Sequence, residues 1–592
     1  MKRMLCAMML GAVGLTSPAA LAQGEVRLGL LELKGTPTEA PNPFAWLIGT
    51  DGAPTLREVT DAITEAGASG DHDALVVRLK DAELGMAHVD EIGAAMRAAR
   101  AAGTPVYVFA EMFGPTGLML GAHADGVFLQ QGSMISLPGL YMEEMYLADT
   151  LDWIGMKADL IQVGDYKGAS EQMTRSEPSD AWDQNISHLL DSMYGHMTGT
   201  IAEGRGLSST QMDRAMEIAW WAEGEEAIEA GLIDQVVDLP DLGDRVAAAM
   251  DQDTASVQWE TVAVGAGGQS LDTANPFAIL SMLSSTPTHK PRRSTIAVLH
   301  IDGVIVDGDS TPESMFSSPS TGSRTIRNTI AKIAKEDLIE GVIVRISSPG
   351  GSAIASEVIW QGLRELAETK PVWVSVGSMA ASGGYYIAVS GDRIWVDPSS
   401  IVGSIGVVGG KISMGELYDT LKINVVSRSR GPRADMFASD QPWDEDQREL
   451  VRRKLEQTYE LFTERVRSGR PGIDLSRTAE GRLFLGEEAV ELRMADDIGG
   501  LSDAAAAMAS ELGLSDPDLM HYPGPKSFQE MMEEMFGGFV QAPVGSASPA
   551  LAGVREVLGE DLWAMAVEAA TQLRQLRDEP ALLIMPRVIR VK

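Results

Sequence analysis

Two turns in the second half of the chain carry serine among small residues, a pattern that could support nucleophilic chemistry. Ser347–Ser352 reads Ser-Ser-Pro-Gly-Gly-Ser, and Met379–Tyr385 reads Met-Ala-Ala-Ser-Gly-Gly-Tyr. Each follows a short apolar run typical of a buried strand, so Ser382 would stand at a strand-to-helix turn with its hydroxyl accessible. Glycine allows a substrate backbone to approach closely, and free N–H groups at a helix start favour an oxyanion. Ser382 is therefore a candidate nucleophile, although Ala-Ser-Gly-Gly alone is more often only a tight helix start.

A serine nucleophile needs a base. No histidine lies near these turns in the sequence, and His300, the nearest upstream, falls on a predicted strand. A Ser-His-Asp triad assembled in space stays open as an alternative. The other candidate is a lysine, which has an ordinary pKa of about 10.4 and must be buried to act as a base near pH 7.

The elements that would position these turns alternate between strand and helix. Short strands separated by helices predict parallel βαβ units, whose ligand sites lie at the carboxyl ends of the strands. The sequence predicts strands at Thr295–Val306, Gly341–Ile346, Pro371–Val376 and Arg393–Val396, and helices over Trp182–Ala202, Ile354–Lys370, Ser382–Ser390 and Trp443–Arg467. The pair Trp220–Trp221 is predicted to lie in the core.

The chain contains an internal repeat. Leu75–Leu79 resembles Val342–Ile346 at an offset of 267 residues, and Pro105–Val108 resembles Pro371–Val374 at an offset of 266. Matches that keep their order and spacing indicate two homologous halves. We therefore predict an N-terminal half over 23–265, a linker over 266–292, a C-terminal half over 293–510 and an extension over 511–592.

Residues 1–22 have the features of a targeting segment. Lys2 and Arg3 precede the apolar run Met4–Leu15, and Ala20–Ala22 resembles a small-residue cleavage site. The segment is predicted to be a cleaved signal peptide, with a retained membrane anchor as the alternative. Either outcome predicts export, to the periplasm or to the periplasmic face of the inner membrane.

Composition excludes several other classes of protein. The 592 residues carry a formal net charge of −36, which argues against binding of nucleic acid because that binding depends on cation–phosphate attraction. The single cysteine, Cys6, excludes an intrachain disulfide and a cysteine-ligated metal cluster. No histidine spacing typical of a metal site is present, so we expect neither a metal nor a cofactor.

Taken together, the motifs resemble those of the long, two-repeat form of signal peptide peptidase A. The resemblance rests on Val342–Ser352, Met379–Tyr386, Gly403–Gly406 and, in the first half, Gly164–Ala169, and it extends in order from residue 25 to about 510. It implies an α/β fold with two tandem repeats of the Clp-protease/crotonase type and a C-terminal helical extension. It also implies a serine endopeptidase that hydrolyses cleaved signal peptides and similar apolar peptides at the membrane.

The resemblance assigns roles to six residues. Ser382 would be the nucleophile of a Ser/Lys dyad, and Lys167 its general base. The remaining four would be supporting groups, namely Gly351 and Gly383 as backbone oxyanion donors, Gly350 as part of the substrate-binding backbone and Ser404 as the hydroxyl that orients the lysine. The family further implies association with the inner membrane and a homo-oligomer, expected to be a tetramer.

The internal repeat gives a separate argument for one composite site. The first-half counterpart of Ser382 is Thr116, and Lys80–Leu84, which corresponds to Ser347–Gly351, has no glycine pair. The second-half region that corresponds to Lys167 is Ser427–Arg433, which contains arginines and no lysine. Arginine does not deprotonate in proteins and cannot serve as the base. Each half therefore lacks what the other half keeps.

The sequence leaves two other functions open. A crotonase-like enzyme that binds an acyl thioester would use backbone N–H groups and acidic side chains and would need neither Ser382 nor Lys167. A catalytically inactive oligomeric scaffold would predict independent decay of the dyad positions, whereas the losses in the two halves are complementary.

Overall fold

The structure is a computed structural model, and it describes residues 25–42, 53–252, 256–265, 289–311, 319–525 and 581–585. The predicted targeting segment, most of the predicted linker and most of the predicted extension lie outside the described residues. No helix among the described residues is both long enough and apolar enough to cross a membrane.

The described strands belong mainly to two parallel sheets and to a third sheet that contains strands from both halves. In chain order the strands are β1 (Glu25–Gly35), β2 (Ala74–Ala82), β3 (Val106–Ala110), β4 (Gly126–Gln130), β5 (Met134–Ile135), β6 (Lys157–Val163), β7 (Ala222–Glu223), β8 (Gln235–Val237), β9 (Ser256–Thr261), β10 (Thr295–Asp302), β11 (Val304–Val306), β12 (Ser320–Gly322), β13 (Ile339–Ser348), β14 (Gly350–Ser352), β15 (Val372–Ala381), β16 (Arg393–Val396), β17 (Ile401–Gly403), β18 (Val407–Ser413), β19 (Leu483–Phe484), β20 (Asp497–Ile498), β21 (Asp518–Tyr522) and β22 (Leu582–Ile584).

Helices connect the strands and cover the sheets. They are α1 (Leu56–Ser69), α2 (Met86–Ala101), α3 (Pro115–Gly121), α4 (Ala148–Trp153), α5 (Glu171–Thr174), α6 (Asp180–Arg205), α7 (Ser209–Ala219), α8 (Gly224–Glu229), α9 (Leu242–Ala249), α10 (Ser323–Ile333), α11 (Ala353–Ala367), α12 (Gly383–Ala388), α13 (Gly415–Thr420), α14 (Glu445–Gly469), α15 (Leu475–Thr478), α16 (Gly486–Glu491) and α17 (Leu501–Leu512), with a short 3₁₀ turn at Leu239–Asp241.

The two parallel sheets repeat one strand order. The first runs β9-β1-β2-β3-β4-β8, and the second contains the path β21-β10-β13-β15-β16-β20. All of these neighbouring strands pair in parallel, as expected for consecutive βαβ units. The predicted α/β repeats are therefore present, and the second sheet extends to β21, beyond the residue 510 at which the sequence ended the second half.

Buried β-branched and aliphatic runs form the centre of each half. Val342, Val344 and Ile346 of β13 are fully buried, and so are Val372 and Val374 of β15. Strands covered on both faces read as nearly continuous apolar runs, which explains why these two were visible in the sequence. Their carboxyl ends lead directly into the two serine-containing turns.

The third sheet joins the two halves. Its order is β12-β11-β14-β22-β18-β6. β6 of the first half pairs antiparallel with β18 of the second half over seven residues, Lys157–Val163 against Val407–Ser413. Because β6 leads into the loop that carries Lys167, this pairing brings a first-half loop to the second-half turns.

The prediction for Trp220–Trp221 is wrong. Both indole side chains are more than half exposed and lie 6.4 Å apart between ring centroids. The preceding helix α7 buries Met212, Ala215 and Ala219, which repeat at helical spacing. The two tryptophans come after the helix and lie outside this buried stripe. The prediction of burial rested on their large apolar side chains and not on the helix periodicity.

Candidate active site

Lys167 lies in the loop after β6 and is fully buried. Its Nζ is 2.6 Å from Oγ of Ser382. The same Nζ donates to the carbonyl oxygen of Ser404 at 2.8 Å and to its Oγ at 3.0 Å. Burial holds the pKa of the Lys167 amine well below its usual 10.5, because the charged form loses its hydration. The neutral amine is the form that can accept a proton from a hydroxyl.

Ser382 follows the carboxyl end of β15 and caps the start of α12. Its backbone has φ 54° and ψ −113°, a conformation that costs a non-glycine residue about 1–3 kcal/mol. The turn is fixed on both sides, since the N–H of Ser382 donates to the carbonyl of Gly403 at 2.8 Å and its carbonyl accepts from the N–H of Tyr386 at 2.9 Å. The strained turn points the hydroxyl toward the lysine.

The glycines at 350, 351 and 383 form a tightly packed backbone beside Ser382. Gly350 has φ 100° and Gly351 has φ 154°, both in the region that favours glycine. A Cβ on Gly383 would lie 2.7 Å from Oγ of Ser356 and 3.2 Å from the nitrogen of Gly351. The N–H of Gly350 donates to Oγ of Ser348 at 3.1 Å, which leaves Gly351 and Gly383 as the candidate donors to an oxyanion.

One stretch of the second half, residues 480–483, supports both the lysine loop and the Ser404 turn. The carbonyl of Glu480 accepts from the N–H of Tyr166 at 2.8 Å, and the carbonyl of Arg482 accepts from the N–H of Ser404 at 2.7 Å. Gly481 has φ 92°, and a Cβ there would overlap the backbone of Lys167. This stretch carries no sequence pattern that predicts its role.

Asn185 is a second residue that the sequence analysis missed. It lies on α6 and is buried. Its Nδ2 donates to the carbonyls of Tyr166 at 3.0 Å and Gly481 at 3.2 Å, and its Oδ1 accepts from the N–H of Leu483 at 3.0 Å. The sequence signal for such a role was a polar amide side chain on the apolar face of a predicted helix. Asn185 ties the residue before Lys167 to the second half.

Buried ion pairs also join the halves near the site. Arg345 of β13 is 1% exposed and donates to Glu39 at 2.8 Å and to Glu91 of α2. Asp90, the neighbour of Glu91, accepts from the N–H of Ser399 at 3.0 Å. The strand that ends in the glycine turn is thus anchored to first-half residues.

The structure brings together all six residues singled out in the sequence, namely Ser382, Lys167, Gly350, Gly351, Gly383 and Ser404. His300, considered as an alternative base, instead makes a hydrogen bond to His521 at 2.8 Å. The second-half counterpart of the lysine loop, Ser427–Arg433, is exposed.

Comparisons with known proteins indicate the family of the chain. The profile of Peptidase family S49 matches residues 98–253 and 364–515, once in each half and over slightly more than half of the chain. "Protease 4" of Haemophilus influenzae is 28% identical over 440 residues, covering 70% of this chain and 66% of that protein. "Protease 4" of Salmonella typhi is 27% identical over 506 residues, covering 84% of this chain and 78% of that protein. "Serine protease SPPA, chloroplastic" of Arabidopsis thaliana is 27% identical over 398 residues, covering 65% of this chain and 55% of that protein.

The chain belongs to peptidase family S49. By class it is a serine protease, in agreement with a fold of two parallel α/β repeats and a serine at the carboxyl edge of the second sheet.

Proposed function

We propose that Ser382 and Lys167 form a Ser/Lys dyad that hydrolyses peptide bonds. The observation that carries the proposal is the distance of 2.6 Å between Nζ and Oγ, with a lysine that is fully buried and has a lowered pKa. No carboxylate among the described residues forms an ion pair with Lys167, so its neutral form is not opposed by a partner charge.

The hydrogen bonds of Lys167 suit a general base. A neutral amine has two N–H donors and one lone pair. The carbonyl and the hydroxyl of Ser404 accept the two donors, which leaves the lone pair for the proton of Ser382. The serine oxygen then attacks the peptide carbonyl, and the N–H groups of Gly351 and Gly383 stabilise the oxyanion. The lysine gives its proton to the leaving amine, and a water molecule hydrolyses the acyl-enzyme by the same route.

The groove beside the dyad favours extended apolar peptides. It is the space between β14 and β18, where the backbone groups of both strands pair with β22 of the same chain and could pair with a peptide in its place. Leu160 and Val408 form its apolar surface. Cleaved signal peptides, which are rich in apolar residues, match this chemistry and are the proposed substrates.

The acyl-thioester alternative is less well supported. It requires only backbone N–H groups at the glycine turns and gives no role to a buried lysine that contacts a serine. A scaffold likewise gives no reason for the strained backbone of Ser382.

The repeat suggests how copies of the chain assemble. With an offset of 266 residues, the counterparts of the paired strands β18 and β6 are residues 141–147 and 423–429, and neither stretch is in a strand. Both expose apolar side chains, including Tyr141 at 68% and Val426 at 70%. Pairing of 423–429 with 141–147 of a second copy would repeat the internal junction head to tail, and such contacts form a ring when the rotation between copies closes. A homo-oligomer is proposed on this basis, and its expected number of four chains rests on the family resemblance alone.

Export remains part of the proposal. The targeting features of residues 1–22 support a location at the periplasmic face of the inner membrane, or in the periplasm after cleavage. Apolar signal peptides are available at that face.

A panel of fluorogenic peptides that differ at the cleavage position tests the function. We expect hydrolysis after small or apolar residues in extended peptides, with no requirement for a metal or cofactor. Strong preference for lysine or arginine at that position, or no hydrolysis of any peptide by the assembled protein, would contradict the proposal.

A further inference from the structure

The groove beside the dyad is already filled by a segment of the same chain. β22, a strand of three residues, lies between β14 and β18 in the third sheet. It pairs antiparallel with the glycine turn through Gly350–Ile584, Gly351–Leu583 and Ser352–Leu582. On its other side Leu582 pairs with Val408 of β18.

The backbone of this segment passes directly along the oxyanion glycines. A Cβ on Gly350 would overlap the carbonyl oxygen of Leu583 and would lie 2.6 Å from the nitrogen of Gly383. The N–H of Met585 donates to the carbonyl of Pro349 at 3.0 Å. A carbonyl group of the segment thus lies beside the two proposed oxyanion donors, as the carbonyl of a bound peptide would.

The side chains of the segment fill apolar subsites. Leu582 and Ile584 belong to a buried cluster with Leu160 and Val408. Leu583 packs into the core of the second half. All three side chains are 0–6% exposed, so the segment has the extended, uncharged and apolar character proposed for the substrate.

Ser382 and Lys167 are 0% exposed while the segment is in place. A peptide therefore cannot reach the hydroxyl in this conformation. A strand of three residues is near the lower limit of strand length, and its pairing with β18 is a single residue pair. The segment is bound through few contacts, which favours exchange with an added peptide.

We propose that residues 581–585 are a tethered competitive ligand of the substrate groove, and that a peptide substrate must displace them before it is hydrolysed. The inference rests on the proposed function in that the same groove binds substrate. It adds an autoinhibitory state in which the chain holds its own C-terminal region at the dyad.

Kinetics of a chain that ends at residue 580 test the proposal. A ligand that belongs to the same chain as its site has an effective concentration on the order of 1 mM. Against a peptide dissociation constant of about 0.1 mM, this predicts that truncation lowers KM about tenfold and leaves kcat within about twofold. A full-length chain with both Leu582→Asp and Ile584→Asp should behave in the same way, because charges in the apolar subsites expel the segment. Unchanged KM in both variants would overturn the proposal.

Binding experiments separate this inference from the catalytic one. In the Ser382→Ala background, a labelled Ala-Leu-Leu-Ile-Met peptide should bind at least tenfold more tightly to the chain that ends at 580 than to the full-length chain, with Ala-Asp-Leu-Asp-Met as the control peptide. The double-Asp chain should bind it as the truncated chain does, which covers the case in which truncation impairs folding. Equal affinity for the full-length and the double-Asp chain would refute the tethered ligand. Tighter binding without any peptide hydrolysis by the active chains would instead contradict the proposed function.

Discussion

The carboxyl ends of β13 and β15 in the second half differ sharply from those of β2 and β3 in the first half. The two pairs of strands occupy the same places in sheets of the same order. In the second half they end in Gly350–Gly351 and in the strained Ser382, whereas in the first half they end in Lys80–Leu84 and in a turn whose Thr116 has no positive φ. The same sheet therefore forms with and without the glycine turn.

This difference separates what the fold needs from what the chemistry needs. The buried apolar strands suffice for the sheet in both halves. Ser382 has a positive φ that its first-half counterpart Thr116 lacks, so this strained turn serves the site and not the sheet. The first half has a positive φ of its own at Asp81, 55°, in the stretch that replaces the glycine turn. Likewise, Arg345 binds carboxylates of the other half, while its counterpart Arg78 binds Glu32 and Glu111 within its own half.

Replacing Ser382 and its first-half counterpart Thr116 should show the largest difference in activity between the two halves. Ser382→Ala should lower kcat/KM for peptide hydrolysis on the order of 10³-fold or more, because no other group supplies the nucleophile. Thr116→Ala, the matched change in the first half, should leave kcat/KM within about twofold. A Ser382→Ala chain that keeps a tenth of the activity would remove the basis of the assignment.

Replacements in the Lys167 loop and in its second-half counterpart, Ser427–Arg433, should give the next largest difference in activity. Lys167→Arg should lower kcat about 10²–10³-fold although it keeps a long basic side chain, since arginine stays protonated and cannot accept the serine proton. In the wild type, activity should rise with pH through the lowered pKa of Lys167, because only the neutral amine is active. Arg433→Ala should leave both the rate and the pH profile unchanged. The pH–rate profile of each variant provides the measurement, and an unaltered profile in Lys167→Arg would point to a different base.

Asn185 tests how the first-half lysine is held against the second half, because it acts on Lys167 only through Tyr166 and Gly481. Asn185→Ala removes the bonds to Tyr166 and Gly481 and should lower kcat about tenfold while KM stays within about twofold, since a small displacement of Lys167 slows proton transfer. The low-pH limb of the rate profile should also shift. Ser187→Ala, at an exposed position of the same helix, is the control. A change in KM alone would indicate an effect on substrate binding and not on the lysine.

The smallest effect concerns stability. The pKa of Lys167 is lower in the folded chain than in the unfolded chain, so the unfolded chain binds more protons and wild-type stability rises with pH up to about 10.5. Lys167→Met should therefore raise the melting temperature at neutral pH, with a gain that shrinks as the pH approaches that value. Calorimetry across pH 6–10 provides the measurement. A gain in melting temperature that grows with pH would contradict this prediction.

The sequence predicted the α/β repeats well because their signals are local. β16 spans the predicted Arg393–Val396, and α14 lies within two residues of the predicted Trp443–Arg467 at each end. The contact between Lys167 and Ser382 joins residues 215 positions apart, and the complementary losses in the two halves were the sequence signal for it. Asn185 and residues 480–483 act through backbone hydrogen bonds between distant segments, which leave no periodic pattern. The occupied groove could not be predicted either, because Leu582–Ile584 reads as any short apolar run.

The central claim is that a lysine from one half activates a serine from the other half. Labelling with a fluorophosphonate, followed by mass spectrometry to locate the adduct, tests it most directly. We predict a single adduct on Ser382, with a labelling rate that rises with pH and falls at least 10²-fold in Lys167→Met. An adduct on another residue, or equally fast labelling of Ser382 in Lys167→Met, would contradict the account.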